Sequence, residues 1–223
     1  MTEPDRGTAW FEQLYAAAAA GESQVPWDRG SPAVPLVEWA EREGIRGDGD
    51  PAQPRSAVVV GAGYGRDSEY LASLGFRTTA FDIAPTAVRD TRLRFPDSPV
   101  DYVVADLFEL PPEWLGRFDL VVEDMNLQAL PESVRLRATR DVASLVAPGG
   151  TLVVIMVARD EGVTVDGPPW PFTERQLDGF ASGGLVPVSR ERIPSASTPG
   201  MSVWREVLHR PHPAAASGEP RHG

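Results

Sequence analysis

Ala57–Val60 is an unbroken apolar run, mostly β-branched, that passes directly into Gly61-Ala62-Gly63-Tyr64-Gly65 and then into a helical pattern. A strand without polar alternation suits a sheet covered on both faces, which is the position of a central parallel strand. Glycines placed straight after it permit a tight turn and a close backbone approach that any Cβ would obstruct. The spacing is G-x-G-x-G, with Arg66 standing where a dinucleotide-binding G-x-G-x-x-G would carry its third glycine. By itself the turn serves a nucleotide-type cofactor or a plain strand-to-helix connection equally well.

The pattern around this turn repeats. Strands are expected at 57–60, 77–81, 100–104, 118–123 and 151–157, with helices at 67–74, 84–94 and 132–145 between them. The stretch Pro148-Gly149-Gly150 reads as a stop before the fifth strand. A helix at 173–181, opened by Thr173, and two closing strands at 185–190 and 201–209 follow, antiparallel if they form a hairpin. Strands alternating with helices predict an α/β fold: a doubly wound, mostly parallel, seven-stranded Rossmann-like sheet with ligands at the carboxyl ends of its strands. Ahead of it, 8–20 and 36–43 read as helices, the first capped by Thr8, and 44–55 as a flexible surface loop. The chain thus divides into an N-terminal segment and linker (1–55), the main domain (56–210) and a Pro/Ala/Ser/Gly/His-rich tail (211–223) expected to be disordered.

Composition removes whole classes of chemistry. Cysteine is absent, so disulfides, thiolate metal ligands and cysteine nucleophiles are excluded, and a cytoplasmic address is the default. All 21 basic residues are arginine, which excludes a Schiff-base or P-loop lysine. A net charge of −11 repels a nucleic-acid backbone, and no apolar stretch approaches the length of a membrane span. No metal-ligand spacing is present, which argues against a magnesium-dependent route. Small-molecule chemistry remains, and the oligomeric state is not readable.

Acidic groups at the strand ends sharpen the glycine turn. Asp82 lies 17 residues after Gly65, at the end of the second strand, where a carboxylate can accept both ribose hydroxyls; its competing role is a helix N-cap. Asp106 follows the third strand and can accept from an adenine amino group while the Leu107 N–H donates to a ring nitrogen; its competing role is a turn cap. The fourth strand ends in Glu123-Asp124-Met125-Asn126, a polar cluster at the same sheet edge.

Together V-V-V-G-A-G-Y-G, F-D-I-A, A-D-L-F, F-D-L-V-V-E-D and L-V-A-P-G-G-T-L-V-V-I, spanning Ala57–Val157, resemble the successive motifs of class I S-adenosylmethionine methyltransferases. Trp10 with Pro26-Trp27-Asp28-Arg29-Gly30-Ser31-Pro32, and the later Asp166-Gly167-Pro168-Pro169-Trp170, are similar to segments of the thiopurine/thiol/halide methyltransferase family. The resemblance implies an N-terminal helical lid over S-adenosyl-L-methionine, with Trp10 and Trp27 packed on that cofactor. It further implies Gly61 beside the methionine portion, Asp82 at the ribose and Asp106 with Leu107 at the adenine. Gly63, Ile83 and Glu123 complete the expected cofactor-binding set. Aromatic faces suit a sulfonium through cation–π attraction, about 0.5–2 kcal/mol per contact; a merely anchoring role for the two tryptophans is the alternative.

Two departures fall on the acceptor side: Asp124 stands where that family often has an aromatic, and Leu14, with Tyr15 beside it, replaces a second lid tryptophan. The implied activity is methyl transfer to a small-molecule acceptor, a thiol or other soft heteroatom that needs no base, or else the hydroxyl or ring nitrogen of a natural product. For a hydroxyl or nitrogen, Asp28, Glu123 and Asp124 are the candidate catalytic bases. Arg159 can face an anionic acceptor, or be solvated or salt-bridged. Trp170, Pro171 and Phe172 can wall the pocket or pack the loop on the sheet. His209, His212 and His222 read as tail residues. A nucleotide-dependent oxidoreductase and a non-catalytic cofactor-binding module are the readings from other classes.

Overall fold

The computed structural model describes residues 7–48, 53–195 and 198–213. Seven strands form one sheet: β1 (Ser56–Val60), β2 (Arg77–Asp82), β3 (Asp101–Val104), β4 (Phe118–Asp124), β5 (Val146–Val157), β6 (Val186–Pro194) and β7 (Ser202–His209). Their order is β3-β2-β1-β4-β5-β7-β6. The first five are parallel, and β7 inserts antiparallel between β5 and β6. Helices α1 (Ala9–Ala19), α2 (Val34–Arg42), α3 (Arg66–Ser73), α4 (Pro85–Arg94), α5 (Glu132–Ser144) and α6 (Glu174–Ala181) cover it. The expected α/β architecture is the one observed, and its mixed sheet differs from the 3-2-1-4-5-6 order of dinucleotide-binding sheets.

Alternation along β1 explains the two layers. Ala57 and Val59 point into a core with Leu36 and Trp39 of α2 and Leu71 of α3. Val58 and Val60 point into the opposite core, with Tyr15 of α1, Val142 of α5 and Phe180 of α6. All five β1 residues are buried, as a strand facing helices on both sides requires. Helix α1 is fastened to the sheet's helical layer by one contact of note. The Glu12 carboxylate accepts from the Thr86 amide (3.0 Å) and hydroxyl (2.6 Å) in the first turn of α4, where the helix leaves its N–H groups unpaired.

Several boundaries differ from the sequence expectation for identifiable reasons. Helix α2 starts at Val34 because Pro35 suits a first helical turn. Thr8 precedes α1 without a side-chain capping bond. Pro148-Gly149-Gly150 does not stop the chain before β5 but lies inside it, since β5 begins at Val146 and its pairing with β4 shifts register between Phe118 and Leu120. Gly149 takes φ +79°, and its Cα faces the His212 ring, so His212 packs on the sheet instead of belonging to a loose tail; the rest of the expected tail, 214–223 with His222, lies outside the described residues.

The 44–55 linker is also not free where it is described. The Gly47 amide donates to the Leu74 carbonyl (2.9 Å), and the Gly47 carbonyl accepts from Arg55 (2.8 Å). A Cβ on Gly47 would fall 2.3 Å from the Phe76 amide nitrogen. Gly47→Ala is therefore expected to lower unfolding free energy by about 2 kcal/mol, the cost of forcing backbone apart in a packed region, measured by urea denaturation.

Candidate functional site

The carboxyl ends of β1, β2 and β4 open into a cavity of about 570 Å3. Its floor is the turn after β1, where Gly61, Gly63 and Gly65 all have positive φ. Gly63 shows why the residue type matters: a Cβ there would meet the Tyr15 hydroxyl at 2.9 Å. Its amide donates to Asp82 Oδ2 (2.9 Å), and its carbonyl accepts from the Thr91 hydroxyl (2.9 Å). Gly61 is required for another neighbour, since a Cβ would strike the Asn126 side chain at 2.4 Å.

Asp82 is buried at the cavity wall, with Oδ1 accepting from the Ala84 amide (2.9 Å). Asp82 is not the N-cap of α4, which is Ala84 without a side-chain capping bond; its carboxylate braces the turn between β2 and α4 and lines the cavity. Burial pushes its pKa up, against the amides of Ala84, Gly63 and Ile83. Three backbone amides thus favour the ionised form, and a carboxylate accepts up to about four hydrogen bonds. Ile83, Asp106 and Leu107 line the same cavity. Asp106 Oδ1 accepts from the Phe108 amide (2.8 Å), capping the short turn Leu107–Glu109.

An aromatic layer closes the other side. Trp10 stacks on Phe11 (centroids 4.1 Å) and meets Trp27 edge-on (6.0 Å). Trp27 Nε1 donates to the Tyr15 hydroxyl at 2.8 Å, and the Tyr15 ring also meets Tyr64 edge-on. Tyr15, not Leu14, is therefore the buried aromatic beneath Trp27; sequence spacing from Trp10 alone did not single it out. Asp28, a candidate base, is instead an ionic latch: it binds Arg94 of α4 at 2.8 Å and Arg66 of α3 at 3.6 Å. Burial favours its protonation, but those guanidinium groups and the Gly30 amide outweigh it and hold the carboxyl below its usual range. Arg94 also lies 3.6 Å over the Tyr64 ring, a geometry that suits cation–π attraction.

The end of β4 separates its two acids. Glu123 is fully buried and does not line the cavity; its Oε1 accepts from the Asn126 and Leu127 amides (both 2.8 Å) and Oε2 has no partner. Burial drives its pKa up to about 8 against those two amides. Its position makes it a brace for the turn after β4, not a group that touches a ligand. Asp124 does line the cavity, beside Asp67 of α3, which sequence patterning did not single out. Burial raises both carboxyls; the neighbouring charges of Asp67 and Glu123 raise Asp124 further, and Arg29 opposes. The two half-buried carboxyls line the same corner of the cavity, where like charges disfavour simultaneous ionisation. Asp67 also accepts from the Ala33 amide at 2.8 Å, tying the chain after the lid to this corner. Next to it Met125 adopts φ +58°, an uncommon conformation for a side chain of its size.

Pro168 and Pro169 line the same cavity, while Trp170 lines a separate cleft. Among the described residues no cluster of potential metal ligands occurs, and no helix is long and apolar enough to cross a membrane.

Residues 57–150 match the model of a methyltransferase domain. The ubiquinone biosynthesis O-methyltransferase of Xanthomonas axonopodis pv. citri is 35% identical over 137 residues, 60% of this chain and 56% of that protein. Its Xanthomonas oryzae pv. oryzae counterpart is 32% identical over 162 residues, 71% of this chain and 66% of that protein. The chain spans a little over half the length of the first of these relatives. Burkholderia thailandensis 1,6-didemethyltoxoflavin-N1-methyltransferase, solved with its substrate and S-adenosylhomocysteine, superposes with a TM-score of 0.68 at 18% identity, covering 95% of this chain and 93% of that one. A protein solved in connection with converting a disulfide bond into a thioacetal group during echinomycin biosynthesis superposes at 0.69 with 24% identity, over 90% and 93% of the two chains. At these identities the likeness shows the fold. None of these four is named for a thiopurine, thiol or halide acceptor.

Glu123 supplies a test of the buried turn after β4. Its raised pKa means that the native state keeps a proton which the unfolded chain releases between pH of about 4.5 and about 8. The contribution is complete below that window and is lost as pH rises through it. Glu123→Gln keeps the acceptor for both amides, so denaturation across pH 5–9 should show a flatter stability profile and a more stable protein at the alkaline end.

Proposed function

We propose, from the premise that residues 57–150 form a methyltransferase domain, that this chain transfers the methyl group of S-adenosyl-L-methionine to a small-molecule acceptor. The observation that carries this reading is the buried Asp82 carboxylate, held by the glycine turn and facing a cavity that an aromatic layer covers. The residues fit the cofactor. The cavity volume is of the size that takes a nucleoside-bearing ligand, within the roughly 300–1,000 Å3 usual for such sites. Asp82 retains acceptor capacity suited to ribose hydroxyls, with Ile83 beside it. Leu107 and Phe108 offer apolar walls for adenine, and Asp106 an acceptor for its amino group. Gly61 and Gly63 keep the floor free of Cβ atoms at the methionine end.

When bound, the cofactor supplies an electrophilic methyl group on a sulfonium. The chain's own part is to exclude water and to align the acceptor. Methyl transfer disperses charge as it proceeds, so removing water that would stabilise the separated charges lowers the barrier, and alignment removes an entropic cost. Trp10, Trp27 and Tyr15 provide the cover, and the Asp28 latch to Arg66 and Arg94 fixes its position. Asp28 is thereby a positioning residue in this scheme, Glu123 a brace, and Asp124 the acid that faces the acceptor.

A thiol or other soft heteroatom is one acceptor class, since its ready ionisation dispenses with a base. A specific observation favours the second, a hydroxyl or N–H of a natural product. Asp67 and Asp124 line the cavity side by side, and a carboxylate in that position can accept the proton such an acceptor loses. General-base assistance of this kind contributes roughly 10²–10⁴-fold.

Calorimetric titration with S-adenosylmethionine and S-adenosylhomocysteine tests the cofactor. Asp82→Ala should weaken binding at least tenfold, as loss of a charged hydrogen-bond acceptor does, while Glu123→Ala, judged at equal folded fraction, should change it far less. Equal affinity in wild type and Asp82→Ala removes the ribose assignment, and binding of NAD in place of S-adenosylmethionine ends the methyltransferase reading. A panel of thiols, halides, phenols and N-heterocycles with labelled cofactor separates the acceptor classes. Activity on phenols or N-heterocycles that falls about a hundredfold in Asp124→Asn supports the base; activity confined to thiols overturns it.

A further inference from the structure

Two buried arginines occur among the described residues, and their surroundings differ. Arg205, 3% exposed, binds Glu191 at 2.7 Å and donates to the Pro35 carbonyl at 2.8 Å. Arg135, 7% exposed, lies in the first turn of α5 and has no carboxylate within ion-pair distance among the described residues. Its Nε donates to the Leu130 carbonyl at 2.9 Å, and its guanidinium stands 5.4 Å from both the Trp170 and the Phe172 ring centres. Burial lowers its pKa; Glu132 opposes that, and the charge of Arg159 adds to it. A guanidinium carries five N–H donors, and those on the two terminal nitrogens have neither a protein partner nor the burial that would hide them from a ligand.

Those donors open onto a cleft of about 500 Å3 lined by Glu132, Arg135, Arg159, Trp170 and Gln176. Arg159 is held there by carbonyls and an amide: Nε donates to Pro171 at 3.0 Å, and a terminal nitrogen donates to Gln176 Oε1 at 3.4 Å. Its charge is likewise left without a carboxylate. Glu132 and Gln176 stand in the first turns of α5 and α6. In a chain of net charge −11, two guanidinium groups share one cleft with a single lining carboxylate, Glu132. The cleft is separate from the cavity above the glycine turn but adjoins it: the Trp170 amide donates to the Gln128 carbonyl at 2.7 Å, and Gln128 and Pro169 line that cavity.

We propose that this cleft binds an anionic group, a carboxylate or a phosphate, gripped by the planar fork of Arg135 and seconded by Arg159. Planar bidentate donation is what distinguishes a guanidinium as an anion ligand. The anion belongs either to the acceptor itself, reaching across the Pro168–Trp170 loop, or to a free ligand.

The test uses the full chain and inorganic phosphate, titrated calorimetrically at constant ionic strength. One saturable site is expected, weakened at least tenfold in Arg135→Met, which keeps an apolar stem between the two rings, and several-fold in Arg159→Gln. In phosphate-free buffer Arg135→Met should melt at a higher temperature, because a buried charge without a counter-ion has been removed. Relative kcat/KM for thiosalicylate over thiophenol, and for 3,4-dihydroxybenzoate over catechol, separates the two sources; this arm alone rests on the proposed methyl transfer. A preference for the carboxylated members that disappears in Arg135→Met places the anion on the acceptor, and phosphate binding without such a preference assigns a free anion. Absence of both phosphate binding and carboxylate preference, or persistence of either in both variants, overturns the site. So does a fall in melting temperature in Arg135→Met with phosphate binding intact, which makes Arg135 a packing residue.

Discussion

The hydrogen bond from the Gly63 amide to Asp82 joins the turn after β1 to the end of β2, and much else is arranged around it. The same glycine accepts from Thr91 of α4 through its carbonyl, and its bare Cα lets the Tyr15 hydroxyl of α1 come within 2.9 Å of where a Cβ would stand. Three elements and the lid therefore converge on one residue that has no side chain. Any Cβ there would push Tyr15 away, and with it the Trp27 indole that Tyr15 holds. The cavity's floor and its cover are in this sense a single packing problem.

Charge placement completes what packing begins. The segment between α1 and α2 that carries Trp27 is irregular, and such segments have few backbone bonds of their own to hold them. It is fixed instead by side chains at both ends: Asp28 to Arg66 and Arg94 on one side, and the Ala33 amide to Asp67 on the other. Exposed ion pairs are individually weak, but Arg94 is also stacked on Tyr64, so the latch combines ionic and aromatic contacts. Asp67 and Asp124 line the same corner of the cavity, so the residue that anchors the chain at Ala33 lies beside one of the candidate bases.

The chain's own pattern was informative where local rules decide. An uninterrupted β-branched run means a central strand; glycines after it mean a turn with positive φ; an acid at the end of the next strand means a carboxylate beside that turn. Each follows from sterics or hydrogen-bonding capacity within a few residues, and the structure places all of them together. Pro148-Gly149-Gly150 shows the limit. Its composition says break, yet pairing with β4 and β7 carries the strand through it as an irregularity, because tertiary hydrogen bonding outweighs local preference. The 44–55 segment shows the same limit, since only contact with Phe76 and Leu74 reveals that Gly47 is docked.

What the sequence determined by itself was the order of the elements, the covered sheet, and the set of small and acidic residues at the strand ends. Those depend on periodicity and on single-residue sterics, which are local. What only the tertiary structure decided was the role of each charge. Asp28, Glu123 and Asp124 are three acids of equal standing in the sequence, but Asp28 is ion-paired to Arg94 at the cavity's edge, Glu123 is buried as a brace, and Asp124 lines the cavity beside Asp67. A carboxylate's behaviour follows from its burial and from the charges near it, and the partners involved here, Arg94, Arg66 and Asp67, lie as many as 66 residues away in the chain. No local rule reaches that far; folding brings the partners together and so fixes the chemistry.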